Sequence, residues 1–305
     1  MINNNYKWEK LGRILKSDPS IDWMSTFTGP SFATQIKNGK FKLYITGRDD
    51  KNRSIIGKAT IDLDSSDLKV VVDPKPVFNI GELGCFDENG VSYPIIVESE
   101  GEDFMYYVGW VPTVLTPFQN FTGLAKSLKG KDRFTRVSRA PILERTNDEP
   151  FSSGSVYVIK EKVWKMWYTS FLRWGEETEH KHFYVIKYAE SKDGINWTRN
   201  NEICIDIEND SEYAIGKPSV VKLNDIYHMW YVYRGEQYRI GYAHSEDGKK
   251  WTRADQLADI DVSSEGWDSK AISYPHVFQY NDYLYMLYCG NNYGKEGLGL
   301  ARRKI

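Results

Sequence analysis

Short runs in which apolar and polar residues alternate cover most of the chain and predict β-strands. The clearest example is residues 226–251, IYHMWYVYRGEQYRIGYAHSEDGKKW. Two alternating segments are separated there by Arg234-Gly235-Glu236, which breaks the pattern and predicts a turn. Ser245-Glu246-Asp247-Gly248 predicts a second turn, because Asp tolerates a left-handed backbone and Gly has no Cβ to clash there. The stretch therefore predicts two paired strands and the start of a third.

The same pattern occurs a second time, at residues 163–197. The triplet MWY appears at 166–168 and again at 229–231, and YAESKDG at 188–194 corresponds to YAHSEDG at 242–248. A self-similar unit of about 50 residues with four strand-like runs is typical of a propeller blade.

Five such units are predicted along the chain, and the last is one strand short. They span residues 31–72, 92–137 with a longer proline-containing connection at 110–120, 153–197 with an insertion at 171–182, 218–251, and 274–302. Residues 6–15 predict a single strand with Trp8 in the slot that Trp197 and Trp251 hold in their units. We expect this strand to complete the fifth unit and close the ring. The sequence thus predicts an all-β fold, a single five-bladed β-propeller domain of four-stranded antiparallel blades over residues 1–305.

Composition narrows the classes of partner. The 40 basic residues are balanced by 42 acidic ones without a charged pole, which argues against nucleic acid as a partner. No apolar run suggests a signal peptide or a membrane span. Three cysteines without metal-type spacing indicate reduced thiols and a cytoplasmic location. We expect no cofactor and no transition metal, although an oxygen-ligated Ca²⁺ in the channel stays open, because such sites leave little trace in sequence.

Antiparallel connectivity gathers certain residues at one mouth of the ring. Each blade's first strand starts, and its second strand ends, on the same face. A carboxylate precedes the first strand in every predicted blade: Asp22, Asp87, Glu149, Glu212 and Asp268. Cationic, aromatic or amide side chains follow the second strands: Arg48, Trp110, Trp174, Arg234 and Asn291. Paired carboxylates perform glycosidic-bond chemistry, and Arg suits phosphate oxygens. The alternative is that the acids cap turns or pair with the arginines.

Motifs spread over the chain carry a family resemblance. They are GRD at 47–49, GCFDENGV at 84–91, YYVGW at 106–110, EYAIGKP at 212–218, GWDS at 266–269 and GNNYG at 290–294. These resemble the five-bladed propeller glycosidase-like proteins of the superfamily that holds glycoside hydrolase families 43, 32 and 130. Within it, a bacterial group linked to surface-polysaccharide biosynthesis is most similar. That group usually carries Arg where this chain has Lys217, and Lys keeps the charge but loses the bidentate fork.

The resemblance implies roles for the carboxylates. Asp22 would be the general base, Asp87 the residue that orients or tunes, and Glu149 or Glu212 the general acid. We expect Arg48, Trp110, Trp174, Lys217, Arg234, Asp268, His276 and Asn291 to contact substrate. For His276 a packed, structural role is the alternative.

The expected function is hydrolysis of a glycosidic bond, with inversion. The substrate would be a small carbohydrate or sugar nucleotide of the cytoplasm, anionic because of the basic residues near the mouth. Two alternatives stay open. A phosphorylase would use phosphate in place of water, and a non-catalytic sugar-binding protein of a polysaccharide pathway would bind without turnover.

Overall fold

The computed structural model describes residues 7–176 and 181–305. Within these ranges the chain forms β-strands and three short 3₁₀ turns, and no α-helix. Tyr6 of the predicted first strand and residues 177–180 of the predicted insertion lie outside the described residues. No helix in this part of the chain is long and apolar enough to cross a membrane.

The strands form five antiparallel groups joined by hairpins, which we call meanders 1 to 5. A lone strand, β1 (Glu9–Leu15), precedes them. Meander 1 contains β2 (Phe27–Lys37), β3 (Lys40–Arg48), β4 (Ser54–Asp62) and β5 (Val71–Val72). Meander 2 contains β6 (Val91–Ser99), β7 (Glu102–Pro112), β8 (Phe118–Leu128) and β9 (Thr135–Arg136). Meander 3 contains β10 (Ser153–Lys160), β11 (Trp164–Trp174), β12 (His182–Ser191) and β13 (Trp197–Ile205). Meander 4 contains β14 (Ala214–Leu223), β15 (Ile226–Arg234), β16 (Tyr238–Ser245) and β17 (Thr252–Arg253). Meander 5 contains β18 (Ser273–Tyr280), β19 (Tyr283–Cys289) and β20 (Leu298–Lys304).

The first strands of the meanders make a closed cycle of contacts. β2, β6, β10, β14 and β18 contact one another in this order, and β18 also contacts β2. On the outer side of meander 5, β1 pairs antiparallel with β20, with Glu9 opposite Arg302. Meanders 3 and 4 share one sheet, because Tyr184 and Ala214 pair in parallel.

The repeated motifs form the scaffold between neighbouring meanders. Both MWY triplets are buried in the core. The Trp167 indole donates a hydrogen bond of 2.7 Å to the carbonyl of Gly248 in the next meander. The Tyr106 hydroxyl does the same to Gly194, also at 2.7 Å. Both glycines have positive φ, 79° and 73°, which the tight turn requires. The repeated turn therefore ties each of these meanders to the one before it.

Strands extend into the two stretches that the sequence predicted as a connection and an insertion. The hairpin of meander 2 continues to Pro112 and resumes at Phe118, and that of meander 3 continues to Trp174 and resumes at His182. The predictions of a connection at 110–120 and an insertion at 171–182 were wrong in these parts. Aromatic residues at both hairpin ends pack against each other, with Phe118 and Trp174 ring centroids 5.3 Å apart, which favours pairing over a loop.

Candidate functional site

A cavity of about 890 Å³ lies where the first strands begin and the second strands end. We call it the central cavity. Every meander contributes to its lining: Arg48, Trp110, Thr169, Arg234 and Tyr274 come from meanders 1 to 5 in turn. The strand ends that the sequence directed to one mouth do meet there.

A bulge at the same position of each first strand shapes the floor. The register of every first strand with its neighbour shifts near the start of the strand, between Ser92 and Ile95 in meander 2 for example, and β2 has a second shift between Gln35 and Lys37. Three residues at these bulges have positive φ: Tyr93 at 54°, Lys217 at 50° and Tyr274 at 56°. Each is followed by proline and lines the central cavity. Non-glycine residues in this backbone region are strained by on the order of 1 kcal/mol or more, and such strain clusters at ligand sites.

Four tyrosines converge on the cavity. The rings of Tyr93 and Tyr274 meet edge to face at 5.3 Å, and those of Tyr238 and Tyr274 lie 5.9 Å apart. The hydroxyls of Tyr184 and Tyr238 share a hydrogen bond of 2.7 Å. Burial raises the pKa of both Tyr184 and Tyr274 well above 10. These phenols therefore stay protonated and can donate hydrogen bonds to a ligand.

Two arginines face the cavity without a carboxylate partner among the described residues. The Arg48 guanidinium donates to the Asn52 side chain at 2.8 Å and lies over the rings of Phe27 and Trp110, at 4.8 and 5.7 Å. Arg234 is surrounded by tyrosine rings. In both arginines Nε is buried without a hydrogen-bond partner. The alternative that these arginines neutralise the mouth carboxylates is therefore not what the structure shows.

Lys217 is a third cation without a carboxylate partner among the residues described. Its side chain lines the cavity although the residue is only 2% exposed. Its Nζ has one hydrogen bond, 3.4 Å to the carbonyl of Pro275. Burial lowers the pKa of Lys217 to about 8. An amine in this state is protonated at neutral pH and gains from an anionic ligand.

His276 lies deeper than the cavity lining. Its ring is 4.2 Å from that of Phe32, and neither ring nitrogen has a hydrogen-bond partner. Burial and then the charge of Lys217 hold the pKa of His276 well below 6.5, so the ring is neutral. The structure does not place His276 where it could contact a substrate directly, because the residue is buried beside Lys217 and does not line the cavity.

The carboxylates that line the cavity are Asp49 and Asp50. The Asp49 carboxylate is already hydrogen-bonded within the protein. It accepts hydrogen bonds from Arg53 Nε at 2.8 Å and from the backbone N–H groups of Lys51 and Arg53. Asp50 is exposed. One carboxylate is therefore available to a ligand among the described lining residues.

The four predicted acids that precede the first strands of meanders 2 to 5 lie away from the cavity, each against a basic residue from an outer strand. Their position at the mouth was wrong. The ion pairs are Asp87 with Arg136 at 2.7 Å, Glu149 with Arg199 at 2.9 Å, Glu212 with Arg253 at 2.7 Å and Asp268 with Lys10 at 2.7 Å. All four acids are buried. The repeated acid thus joins the start of a meander to its outermost strand.

Glu149 shows why such a carboxylate suits a structural role. It accepts hydrogen bonds from Tyr168 and Ser170 and is paired with Lys187 as well as Arg199. Burial would raise the pKa of Glu149, but the Ser170 hydrogen bond and the two cations outweigh it and hold the pKa below 4.5. A general acid needs a raised pKa instead.

The other predicted contacts are divided between the cavity and its surroundings. Asp22 is exposed in a 3₁₀ turn and does not line the cavity. The Asn291 amide is bound to backbone groups of a neighbouring loop, and Asn292 lines the cavity instead. Trp174 packs on Phe118 outside the central cavity, whereas Trp110 lines it. Within the described ranges, the chain has no group of three or more His, Cys, Asp or Glu placed to hold a metal ion.

Comparison with known proteins defines the family. Two proteins of Mycobacterium tuberculosis, Uncharacterized protein MT1551 and its counterpart Rv1502 from a second strain, are 37% identical over 295 residues, 96% of this chain and 98% of theirs. A family model described as beta-1,4-mannooligosaccharide phosphorylase, glycoside hydrolase family 130, matches residues 143–256. The chain belongs to one family with these two mycobacterial proteins.

Two solved structures share the fold of this chain. One, described as a complex of BT0996 with RGII, is 20% identical, with a TM-score of 0.74 over 98% of this chain and 92% of that protein. Another comes from work on the GH130 family of mannoside phosphorylases, which is said to contain glycoside hydrolases that target β-1,2 mannosidic linkages in Candida mannan. It is 17% identical, with a TM-score of 0.72 over 98% of this chain and 93% of that protein.

The part of the chain matched by the family 130 model contains Lys217 and Arg234 but not Arg48 or Tyr274. The cations Arg48, Lys217 and Arg234 were predicted from the sequence as site residues, whereas Tyr93, Tyr184 and Tyr238 were not.

The sequence does contain a signal for two of the bulges in the first strands. Ser-Tyr-Pro occurs at 92–94 and again at 273–275, in the slot where Gly-Lys-Pro occupies 216–218.

Proposed function

We propose that the protein is a glycoside phosphorylase, which cleaves a glycosidic bond with inorganic phosphate as the acceptor. The observation that carries the proposal is the charge of the central cavity. Arg48, Lys217 and Arg234 have no carboxylate partner among the described residues, and they lie around one space. Keeping buried cations unpaired is costly, and a bound phosphate group offsets that cost.

The carboxylates favour phosphorolysis over hydrolysis. Inverting hydrolysis uses two carboxyl groups, one that protonates the leaving oxygen and one that activates water. In the described lining Asp49 is paired with Arg53, so that Asp50 is the carboxylate still available for catalysis. Phosphate is itself a nucleophile and needs no carboxylate base. Its oxygen forms a bond to the anomeric carbon while the glycosidic bond breaks. One carboxylic acid is still needed to protonate the leaving oxygen, and Asp50 is the candidate in the described lining. The products are a glycosyl phosphate and the released alcohol.

The tyrosines and Trp110 complete a carbohydrate site in this proposal. Phenol hydroxyls that stay protonated donate to sugar or phosphate oxygens, and an indole face packs on the apolar face of a sugar ring. We include in the proposal the five-bladed form, in which the five meanders are blades closed by β1 into a single domain. A cytoplasmic location and a place in polysaccharide biosynthesis, both expected from the sequence, also belong to it.

Turnover measured with and without phosphate tests the proposal. A panel of mannosides and other glycosides should release glycosyl phosphate only when phosphate is added. The variant Arg48→Gln/Arg234→Gln should weaken inorganic phosphate binding by roughly a hundredfold, because two charge-assisted contacts are lost. Arg302→Gln is the control, since that guanidinium pairs with Glu9 on the outer strand. Unchanged phosphate binding in the double variant would overturn the anion site.

Hydrolysis is the second candidate. It is favoured by the adjacent carboxylates Asp49 and Asp50 in the lining and by the hydrolases described for the GH130 family. Equal turnover with and without phosphate would select it, and binding of glycosides without turnover under either condition would select a sugar-binding protein.

A further inference from the structure

A second compartment adjoins the central cavity on its outer side. Its volume is about 420 Å³, and we call it the rim compartment. Seven residues line it: Pro117, Phe118, Lys181, His182, Tyr213, Arg234 and Tyr293. Five of these also line the central cavity, all except Lys181 and Tyr213. A ligand with two parts can therefore occupy both spaces at once.

Arg234 lies at the junction of the two compartments. Its guanidinium carbon is 5.3 Å from the ring centroid of Tyr213, 5.7 Å from that of Tyr293 and 5.1 Å from that of Tyr238. Its Nε is buried and without a hydrogen-bond partner. The aromatic faces hold the cation in place, and the Nε donor is left without an acceptor among the described residues. An anionic group is the natural occupant of the junction.

The rim compartment offers flat aromatic surfaces to whatever is attached to that anionic group. Tyr293 is 44% exposed and Tyr213 is half-buried, so both rings are accessible. Tyr293 is held in a left-handed backbone conformation at φ 62°. Phe118 supplies a third ring, supported from behind by Trp174 at 5.3 Å. Exposed rings beside a cation suit a nucleobase, which stacks on aromatic side chains and guanidinium planes. An aliphatic lipid chain would instead need a wall without hydroxyls and charges.

We propose that the rim compartment binds the nucleoside of a nucleoside diphosphate, which is the leaving group of the reaction, with Arg234 on the diphosphate. The sugar then lies in the central cavity, near Arg48 and Lys217, where the incoming phosphate is held. This inference rests on the proposed phosphorolysis and names the class of its substrate, a nucleoside diphosphate sugar.

The chemistry of this leaving group accounts for the shortage of carboxylates. An oxygen of hydrogen phosphate forms a bond to the anomeric carbon, and the bond from that carbon to the β-phosphate oxygen breaks. The electron pair leaves with the diphosphate, which is stable as an anion, and the proton of hydrogen phosphate stays on the sugar phosphate. No carboxylic acid has to protonate the leaving oxygen, which an ordinary glycoside would require. A cation at that oxygen, Arg234, stabilises the developing charge instead.

Calorimetric titration of the whole protein with nucleoside diphosphates and with pyrophosphate tests the inference. Among ADP, GDP, UDP and CDP, at least one should bind roughly tenfold or more tightly than pyrophosphate, because base stacking adds to the phosphate contacts. Tyr213→Ala and Tyr293→Ala should remove that advantage while pyrophosphate affinity stays within about twofold. Tyr283→Ala is the matched control, because that ring also packs on an arginine, Arg302 at 5.3 Å, but on the outer strand.

The outcomes separate this inference from the proposed function. If no nucleoside diphosphate binds more tightly than pyrophosphate, the inference is overturned, even where phosphate-dependent turnover of other glycosides is seen. Binding of a neutral mannooligosaccharide or of a prenyl diphosphate that depends on Tyr213 and Tyr293, in place of nucleotide binding, would overturn it as well. Nucleotide binding that depends on both tyrosines supports the nucleoside site. If phosphate then did not promote turnover, the nucleoside site would stand, and both the phosphorylase proposal and the role of the diphosphate as its leaving group would fail.

Discussion

Charged side chains are paired within the protein in one region of the molecule and lack a carboxylate partner in another. Where the meanders meet their outer strands, Asp87, Glu149, Glu212 and Asp268 are each neutralised by a lysine or arginine at 2.9 Å or less. Around the central cavity, Arg48, Lys217 and Arg234 have no carboxylate partner among the described residues. Both sets are wholly or partly removed from water, so the difference cannot be attributed to exposure.

The contrast indicates which charges serve the fold and which serve a ligand. A buried charge that is paired within the protein already has its counter-charge and does not need one from a ligand. Breaking such a pair is strongly destabilising. A buried charge left unpaired weakens the fold and gains when a counter-charge binds. A carboxylate just before a first strand therefore does not by itself mark a residue that lines the cavity.

Glu149→Gln should give the largest effect. The amide keeps the shape but leaves Lys187 and Arg199 without their counter-charge, so the free energy of unfolding should fall by about 3–5 kcal/mol. Urea denaturation at neutral pH measures this. The wild-type contribution of Glu149 should be present at neutral pH and fade as the pH falls below the usual glutamate range, because its pKa is lowered in the folded state.

Glu98→Gln is the control for that measurement, because the Glu98–Lys129 pair is largely exposed and its loss should leave stability unchanged. If Glu149→Gln folded as stably as the wild type and lost turnover, Glu149 would belong to the site and the contrast between the two regions would be wrong.

Lys217→Met should separate binding from stability. Methionine fills similar space without a charge, so the variant should lose affinity for inorganic phosphate and yet unfold at higher urea concentration. The pKa of Lys217 is lowered from 10.5 to about 8, which corresponds to a cost on the order of 3 kcal/mol for burying its protonated form. A variant that is less stable than the wild type would show that Lys217 is stabilised by contacts other than a ligand.

The pH dependence of anion binding should be the smallest of these effects. Lys217 is a cation below about pH 8 and loses its charge above it. The affinity for sulfate, whose own charge is constant in this range, should therefore fall as the pH rises through 8, approaching about tenfold per pH unit. Lys217→Arg stays charged and should abolish the decline. A decline of equal size in that variant would assign the titration to another group.

The sequence indicated the strands and the three cations because both depend on local order. The MWY triplets and the turns at Asp193 and Asp247 repeat at a fixed spacing, and Arg48 and Arg234 directly end second strands. Antiparallel geometry alone brings such positions to one side of the ring.

The acids were misplaced because their partners are distant in the chain. Arg199 is 50 residues from Glu149, and Lys10 is 258 residues from Asp268. Nothing in the local sequence shows that these cations will reach them. Tyr184 and Tyr238 were missed for a related reason, since a tyrosine within a strand reads as packing until the fold shows which face borders a cavity.

The pairing of β1 with β20 has a consequence for how the protein comes into being. β1 is made first, yet the strand it pairs with lies almost 300 residues later, Glu9 opposite Arg302. At roughly 5–20 residues per second, the ribosome leaves β1 without its partner for about 15–60 seconds. During that interval its unpaired edge is open to other chains. The late pairing of β1 with β20, and not the formation of any single hairpin, should therefore be the step that chaperones protect.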